Sequence, residues 1–326
     1  MNGELSHGLA PLAVSGNSII QGPTGAPIVL RGVNRSGMEY SEPDEEGFVS
    51  AAGISRAEIR WITQQWRANI IRIPFNQDWA LNGRRGWTAE DYLSDLDRII
   101  AWASSYGAYA MLDLQWLDAD NPFGPDRQFV PPLPNSDTPR LWATLARRYE
   151  SEPAVLFDIL NEPHDPVPGD ARPLPRHDGG FYPASHRRVT MAEWQPWARR
   201  LLNEIRAVHP QALIFVSGTN WGYDLRGMPL SGVANIVYAT HVYRNKGETR
   251  SQWTEAFGRL ARTQPVFAAE WGGGDADLDW GRRLAAYFDQ TGIGWCAWSW
   301  ADQPHLVTRY APTRFGDLVR TRLNHS

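Results

Sequence analysis

The chain of 326 residues carries 32 basic and 36 acidic residues, for a formal net charge of −4. This balance gives no support to a nucleic-acid or anionic-membrane partner. No stretch approaches the length of about 18 apolar residues that a membrane-spanning helix needs, and the single cysteine, Cys296, excludes an intramolecular disulfide. The length fits two average domains or one large α/β barrel.

Apolar, strand-like runs alternate with helical periodicity along the whole chain. The predicted strands cover residues 28–34, 69–75, 109–114, 154–160, 212–216, 235–240, 265–269 and 293–298. Capping-box patterns open three of the intervening helices, at Ser55 with Glu58, Thr88 with Asp91, and Thr190 with Glu193. The link over residues 218–232 is the weakest repeat, because it has no clear helical pattern.

Eight near-continuously apolar strands separated by helices indicate a parallel sheet that is buried on both faces. The count of eight favours an α/β fold of the closed (β/α)8 TIM-barrel type over an open sheet. We therefore predict one catalytic domain over residues 1–326. Segments rich in proline, glycine and aspartate, residues 116–137 and 164–189, follow the third and fourth strands. In a barrel such extended loops stand over the active site.

Two glutamates close strand-like runs and are each followed by a strand breaker. Glu162 precedes Pro163, and Glu270 lies two residues before Gly272. The carboxyl ends of barrel strands meet at one face, so the two carboxylates are expected to lie together. Hydrolysis of a glycosidic bond requires such a pair. The sequence therefore predicts a glycoside hydrolase.

Further polar and aromatic residues stand at or near the other strand ends: Arg72, Gln115, Trp116, Asn161, His241, Tyr243, Trp271 and Trp298. We expect this set to contact the substrate or support the glutamates. Arg72 and the hydroxyl of Tyr243 are predicted to keep Glu270 ionised, which suits a nucleophile. The apolar flank of Glu162 predicts a drier setting, which suits a proton donor. Asn161 is expected to bond the sugar 2-hydroxyl, and Trp298 to form the floor under the sugar.

Sixteen tryptophans are the compositional outlier. Aromatic faces stack on sugar rings, so this excess fits a carbohydrate cleft, although a large core uses tryptophan as well. We expect about a third of them to face the ligand.

No metal or cofactor is predicted. His164 and His177 lie in the loop-rich segment over residues 164–189, without the spacing of a metal site. The Gly-x-Ser-x-Gly pattern of a serine esterase is also missing from the sequence.

With these motifs in order, the sequence resembles glycoside hydrolase family 5, the cellulase family of clan A. The resemblance spans nearly the whole chain. It rests on residues 31–37, 69–75, 155–163, 240–243, 270–272 and 298–300. Asn-Glu-Pro alone would be weak support, whereas the ordered set is specific.

The resemblance implies a retaining mechanism in which Glu162 is the acid/base and Glu270 the nucleophile. It also implies sugar-binding or supporting roles for Arg72, Asn161, His241, Tyr243 and Trp298. One departure concerns Gln115, which stands where the family usually has histidine. A glutamine can bond a sugar hydroxyl but cannot be cationic.

Several alternatives remain open at this level. A β-1,4-glucan or cello-oligosaccharide is the first substrate expected, followed by β-mannan or a short β-glycoside. Transglycosylation and a non-hydrolytic glycan-binding barrel are the other interpretations, and endo or exo action is undecided. We expect a monomer that binds an oligo- or polysaccharide. Residues 1–20 lack an export signal, so the location is left open. Relatives that degrade polymers are typically exported, so we expect a secreted protein if an export segment precedes this sequence and a cytoplasmic protein otherwise.

Overall fold

The computed structural model describes residues 8–22, 25–118, 131–165, 173–182 and 189–324. Eight strands pair in parallel and close into a barrel, with β8 beside β1 and β4 beside β5. The strands are β1 (Arg31–Asn34), β2 (Ile70–Asn76), β3 (Tyr109–Trp116), β4 (Val155–Asp158), β5 (Ile214–Ser217), β6 (Ile236–Tyr243), β7 (Val266–Gly272) and β8 (Gly294–Ala297). The predicted (β/α)8 fold is confirmed.

Helices surround the barrel in the described parts of the chain. The α-helices are Phe48–Ala51, Arg56–Arg60, Gln77–Asn82, Ala89–Ser105, Thr138–Arg148, Met191–Val208, Arg250–Trp253, Leu278–Thr291 and Arg314–Asn324. Two of them continue as π-helical turns, Trp61–Gln65 and Thr254–Gly258, and 3-10 turns cover Leu260–Arg262 and Gly274–Asp277. The link between β5 and β6 contains turns and isolated bridges without a helix, as predicted.

Side chains alternate between the inside of the barrel and the surrounding helices, as the period of two in a strand requires. In β2, Ile71 and Ile73 belong to the core between barrel and helices, whereas Ile70 belongs to the core inside the barrel. Arg72 shares the inner face with Ile70 and is fully buried. The inside is therefore apolar towards the strand beginnings and polar towards the strand ends. Cys296 is buried in the inner core, where a free thiol packs as a small apolar side chain.

Strands β6 and β7 extend three residues beyond their predicted ends, to Tyr243 and Gly272. Their pairing shifts register between Thr240 and His241, after which His241 stands opposite Glu270. Such irregularities re-aim side chains next to active sites. Glu270 thus lies within a strand, held by the barrel, and not in the loop that follows it.

The long connections predicted after the third and fourth strands are present after β3 and β4. A short hairpin, Leu174–Pro175 with Phe181–Tyr182, lies in the second. Residues 119–130, 166–172 and 183–188 of these connections lie outside the described residues. Among the helices that are described, none has the length and apolar character to cross a bilayer.

Candidate active site

Glu270 is held by two donors that lie inside the strand ends. Nη1 of Arg72 donates to its Oε1 at 2.9 Å, and the hydroxyl of Tyr243 donates to its Oε2 at 2.6 Å. Burial raises the pKa of Tyr243 well above its usual range, so the hydroxyl stays protonated and remains a donor. Both partners are the ones predicted from the sequence, and both donate to the carboxyl group of Glu270.

Glu162 lies in a more open setting. Its Oε1 is 2.9 Å from Nδ1 of His241 and 3.4 Å from Nζ of Lys246. Its side chain is 15% exposed, compared with 6% for Glu270. The prediction that Glu162 lies in a drier environment is therefore wrong. Two polar side chains, His241 on β6 and Lys246 just after it, lie beside the carboxyl group, and the apolar residues next to Glu162 in the sequence did not indicate them.

His241 lies between the two glutamates. Its Nδ1 is 2.9 Å from Glu162 and 3.6 Å from Oε2 of Glu270. Burial lowers the pKa of His241 to about 3, so the ring is neutral over the range in which most enzymes work. One oxygen of each glutamate and a ring nitrogen of His241 all lie within 4.8 Å of one another. The three groups therefore converge at one place at the carboxyl ends of the strands.

Arg72 connects the nucleophile candidate to the rest of the barrel. Its guanidinium contacts five side chains: Asn34, Asp113, Asp158, Asn161 and Glu270. The distances from its nitrogens to the five oxygens run from 2.8 to 3.0 Å. The side chain is fully buried, so these contacts replace all of its hydration.

Three carboxyl groups thus share one guanidinium. Asp113 and Asp158 are register partners across β3 and β4, and both are fully buried. Burial raises the pKa of Asp113 well above its usual range and that of Asp158 to about 6. Proton uptake by Asp113 reduces the charge that Arg72 must balance. More of its positive charge is then left for Asp158 and Glu270.

Four other predicted residues lie at or just beyond the ends of β3, β4 and β8; Asn161 and Trp116 are buried, whereas Gln115 and Trp298 are partly exposed. Oδ1 of Asn161 accepts from Arg72 at 2.8 Å, which leaves its amide NH2 as a donor. Gln115 is partly buried, and its Oε1 has no hydrogen-bond partner among the described residues. Trp298 is partly exposed, and its indole N–H donates to the carbonyl of Gln303 at 3.2 Å. Trp116 ends β3 with its ring centroid 5.9 Å from that of Tyr40.

Trp271 is a correction. Its ring is fully buried and packs edge-to-face against Phe288, Trp295 and Phe315. Because it follows the inward-pointing Glu270, the strand alternation turns it outward, beneath the helices. It cannot contact a substrate. More generally, ten of the 16 tryptophans are among the largest fully buried side chains, so most of the tryptophan excess serves the core.

Sequence reasoning missed Lys246 as a site residue. It is the only lysine of the chain, which has 31 arginines. This imbalance was read as a general bias in composition, so the position of the lysine received no attention. Its ammonium lies beside Glu162 because a turn after β6 brings it back over the strand end. The lone lysine near a predicted catalytic strand was the available signal.

Another buried glutamate, Glu39, lies in the loop after β1. Its Oε2 accepts from the backbone N–H of Gly37 at 2.7 Å, and its carbonyl accepts from the side chain of Asn76 at the end of β2. Burial raises the pKa of Glu39 to about 8, from an ordinary value of 4.5. This carboxyl is therefore neutral at neutral pH in the folded protein.

We predict that Glu39→Gln becomes increasingly stabilising, relative to the wild type, as the pH rises from 5 to 8. Folding requires the Glu39 carboxyl to stay protonated, so its contribution to stability is complete below pH 4.5 and is lost as the pH rises through about 8. Glutamine cannot ionise and avoids this loss. Urea unfolding across this pH range measures the trend, with Glu45→Gln at an exposed residue of the same loop as control. Parallel pH curves for Glu39→Gln and wild type would contradict it.

We also predict that Arg72→Met lowers the free energy of unfolding by about 3–5 kcal/mol, because it leaves buried carboxyl groups without their cation. Arg259→Met removes an exposed arginine that pairs with Glu255 and should cost at most about 0.5 kcal/mol. Chemical denaturation at pH 7 compares the two variants. Similar small losses in both would mean that the buried network does not depend on Arg72.

Comparison with known proteins agrees with this geometry. A sequence model of the family described as cellulase (glycosyl hydrolase family 5) matches residues 23–304. Endoglucanase N of Pectobacterium atrosepticum is 22% identical over 299 residues, which cover 88% of this chain and 57% of that protein. The manganese dependent endoglucanase Eg5A of Phanerodontia chrysosporium is 25% identical over 245 residues, covering 68% of this chain and 54% of that protein. The chain thus spans little more than half the length of these relatives.

Among solved structures, a β-glucanase from Saccharophagus degradans in complex with cellotetraose is similar over the whole chain. The TM-score is 0.77 at 22% identity, and the match covers 100% of this chain and 97% of that one. At this identity the likeness establishes the shared fold. The resemblance noted from the sequence motifs is confirmed by the family match.

Proposed function

Because this chain belongs to the cellulase family, glycosyl hydrolase family 5, we propose that it hydrolyses β-linked glucans with retention of configuration. The observation that carries this proposal is the spacing of Glu162 and Glu270. One carboxylate oxygen of Glu162 lies within 4.8 Å of one carboxylate oxygen of Glu270. Retaining glycosidases hold their carboxyl groups about 5–5.5 Å apart, whereas inverting ones leave about 6.5–9.5 Å for a water molecule. The short spacing supports the retaining course.

In the first half of the reaction, Glu270 attacks the anomeric carbon. The bond from that carbon to Oε of Glu270 forms while the bond to the leaving oxygen breaks, and Glu162 gives its proton to that oxygen. The contacts of Glu270 with Arg72 and Tyr243 hold the carboxylate ionised and aimed until it bonds. We expect the NH2 group of Asn161 to bond the 2-hydroxyl, a contact that strengthens as charge develops on the sugar.

In the second half, water replaces the leaving group. Glu162, now a carboxylate, takes a proton from the water as its oxygen bonds to the anomeric carbon, and the bond to Glu270 breaks. Both glutamates then return to their starting protonation states. A sugar hydroxyl in place of water would give transglycosylation with the same residues.

For the substrate we propose a β-1,4-glucan or a cello-oligosaccharide. The support comes from relatives named endoglucanases and from the structural neighbour solved with cellotetraose. Gln115 fits this proposal as a neutral polar side chain near the end of β3; its Oε1 is buried and has no partner within the described chain. β-Mannan and short β-glycosides are the alternatives that a hydrolysis screen would separate.

We predict that the first product formed from a β-linked substrate is the β-anomer, followed by slow mutarotation. Proton NMR of the anomeric signals during early turnover measures this directly. An α-anomer formed first would contradict the retaining course.

Glu270→Gln is expected to lower turnover by several orders of magnitude, because the neutral amide cannot bond to the anomeric carbon. The amide oxygen can accept from Arg72 and the amide NH2 can donate to the hydroxyl oxygen of Tyr243, so we expect the variant to fold and to bind cellotetraose. Initial rates and calorimetric binding test both parts. Full activity in this variant would show that Glu270 is not the nucleophile, and binding without turnover in the wild type would favour a non-hydrolytic glycan-binding barrel.

We predict that a chelator such as EDTA leaves turnover unchanged. The two glutamates and His241 could together hold a divalent cation, and one relative is named as manganese dependent. Here, however, Glu270 is already paired with Arg72, and Glu162 with Lys246. These cations oppose a bound metal ion. Loss of activity with EDTA and its recovery with Mn²⁺ would overturn this prediction.

A further inference from the structure

We propose that Lys246 is a positioning residue for Glu162, and that its ammonium stabilises the carboxylate which forms when Glu162 protonates the leaving group. This inference rests on the proposed function and adds a residue to it. Four observations carry it: the anchored turn that bears Lys246, the ring of contacts to Glu162, the neutrality of His241, and the rarity of lysine in this chain.

The turn that bears Lys246 is firmly anchored. The backbone N–H groups of Lys246 and Gly247 both donate to the carbonyl of Tyr243, at 3.0 and 3.1 Å. The carbonyl of Gly247 in turn accepts from the indole N–H groups of Trp253, at 2.7 Å, and Trp280, at 3.0 Å.

Gly247 also fits closely against its neighbour. A Cβ atom at this position would lie 2.2 Å from the hydroxyl of Tyr223, so a larger residue would have to displace that side chain. Close packing and hydrogen bonds thus both hold the backbone next to Lys246.

The ammonium closes a ring of contacts that begins and ends at Glu162. Nζ donates to the carbonyl of Trp221 at 2.6 Å and lies 3.4 Å from Oε1 of Glu162. The backbone N–H of Trp221 donates to the carbonyl of Pro163, the residue after Glu162, at 3.1 Å. The position of Nζ is thus tied to the same backbone that carries the acid.

Trp221 is itself held in an unusual conformation. Its φ is 58°, in the left-handed region that bulky residues seldom adopt. Its ring stacks on His164, with centroids 3.9 Å apart. Strain of this kind persists where the surroundings fix it, and it clusters at functional sites. Here it directs the carbonyl of Trp221 to Lys246.

Lys246 supplies the positive charge at Glu162. His241 also contacts Oε1, but burial lowers its pKa to about 3, so it contributes a neutral ring. The side chain of Lys246 is 17% exposed, so its charge is only partly screened by water.

The choice of residue is informative as well. Of 32 basic residues, the single lysine is the one beside Glu162, and Arg72 is the one beside Glu270. A compact ammonium fits between a carbonyl and a carboxylate, where a planar guanidinium would need a wider space.

The catalytic consequence follows from when Glu162 is charged. As the leaving oxygen takes its proton, Glu162 becomes a carboxylate, and a fixed cation stabilises this change more than it stabilises the ground state. In the second half of the reaction Glu162 gives up its charge by taking a proton from water, so Lys246 gives no such help there. The effect should therefore appear in the bond-breaking step, and only when the leaving group needs a proton.

The test is Lys246→Met measured on aryl β-cellobiosides whose leaving groups range from 2,4-dinitrophenol to phenol. We expect kcat/KM to fall about tenfold for the phenyl glycoside, since a partly exposed charge contributes less than a fully enclosed donor. For the dinitrophenyl glycoside, which departs without protonation, kcat/KM should stay unchanged. Lys246→Arg, which keeps the charge, should recover part of the loss.

Two further variants separate the possible outcomes. Arg244→Met removes an exposed charge from the same turn, where Arg244 pairs with Glu248 and Asp277, and should leave both substrates unaffected. Glu162→Gln removes the proposed acid altogether. It therefore shows how strongly kcat/KM depends on the leaving group when no proton is supplied.

An equal loss on all substrates in Lys246→Met, or no loss, overturns the proposal while leaving Glu162 and Glu270 in their roles. If the wild-type protein cleaves neither aryl cellobiosides nor the corresponding mannobiosides, the proposed function fails, and this inference fails with it.

Discussion

The structure of this site depends on one buried guanidinium. Arg72 points into the barrel from β2 and bonds to side chains of β1, β3, β4 and β7, and to Asn161 just beyond β4. A buried cation must be matched by acceptors, and five donors in a rigid fork fix where those acceptors lie. The strand ends are thereby held in a common arrangement, and Glu270 belongs to it.

The two glutamates consequently differ in how they are supported. Glu270 is part of a strand, and its two partners, Arg72 and Tyr243, also lie on strands. Glu162 follows β4 and is supported by His241 on β6 and by Lys246 and Trp221 on connecting segments. The barrel thus fixes the proposed nucleophile, whereas loops help to hold the proposed acid/base.

The hydrophobic periodicity of the sequence was enough to predict the barrel, and the polar residues at the ends of the predicted strands indicated most of the candidate site. Strand ends meet at one face, so Glu162 and Glu270 could be paired without any knowledge of loop structure. The same alternation should have placed Trp271 outside, since it is adjacent to the inward-facing Glu270. The contact of Lys246 with Glu162 could not be predicted in this way. It depends on a turn after β6 whose Gly247 carbonyl is held by Trp280, a residue distant in the sequence. The exposure of Glu162 likewise depends on long-range neighbours that local apolar flanks do not reveal.

The contacts of each glutamate also fit the role proposed for it. In the proposed mechanism Glu270 reacts as a carboxylate, and Arg72 and Tyr243 both donate to it. Glu162, the proposed acid/base, would lose and regain a proton in each turnover. The neutral ring of His241 can donate to it or accept from it at Nδ1, and Nε2 has no partner in the described chain that would fix the tautomer. Lys246 lies closer to the Trp221 carbonyl than to Glu162, so the ammonium keeps a hydrogen-bond partner in both protonation states of the acid.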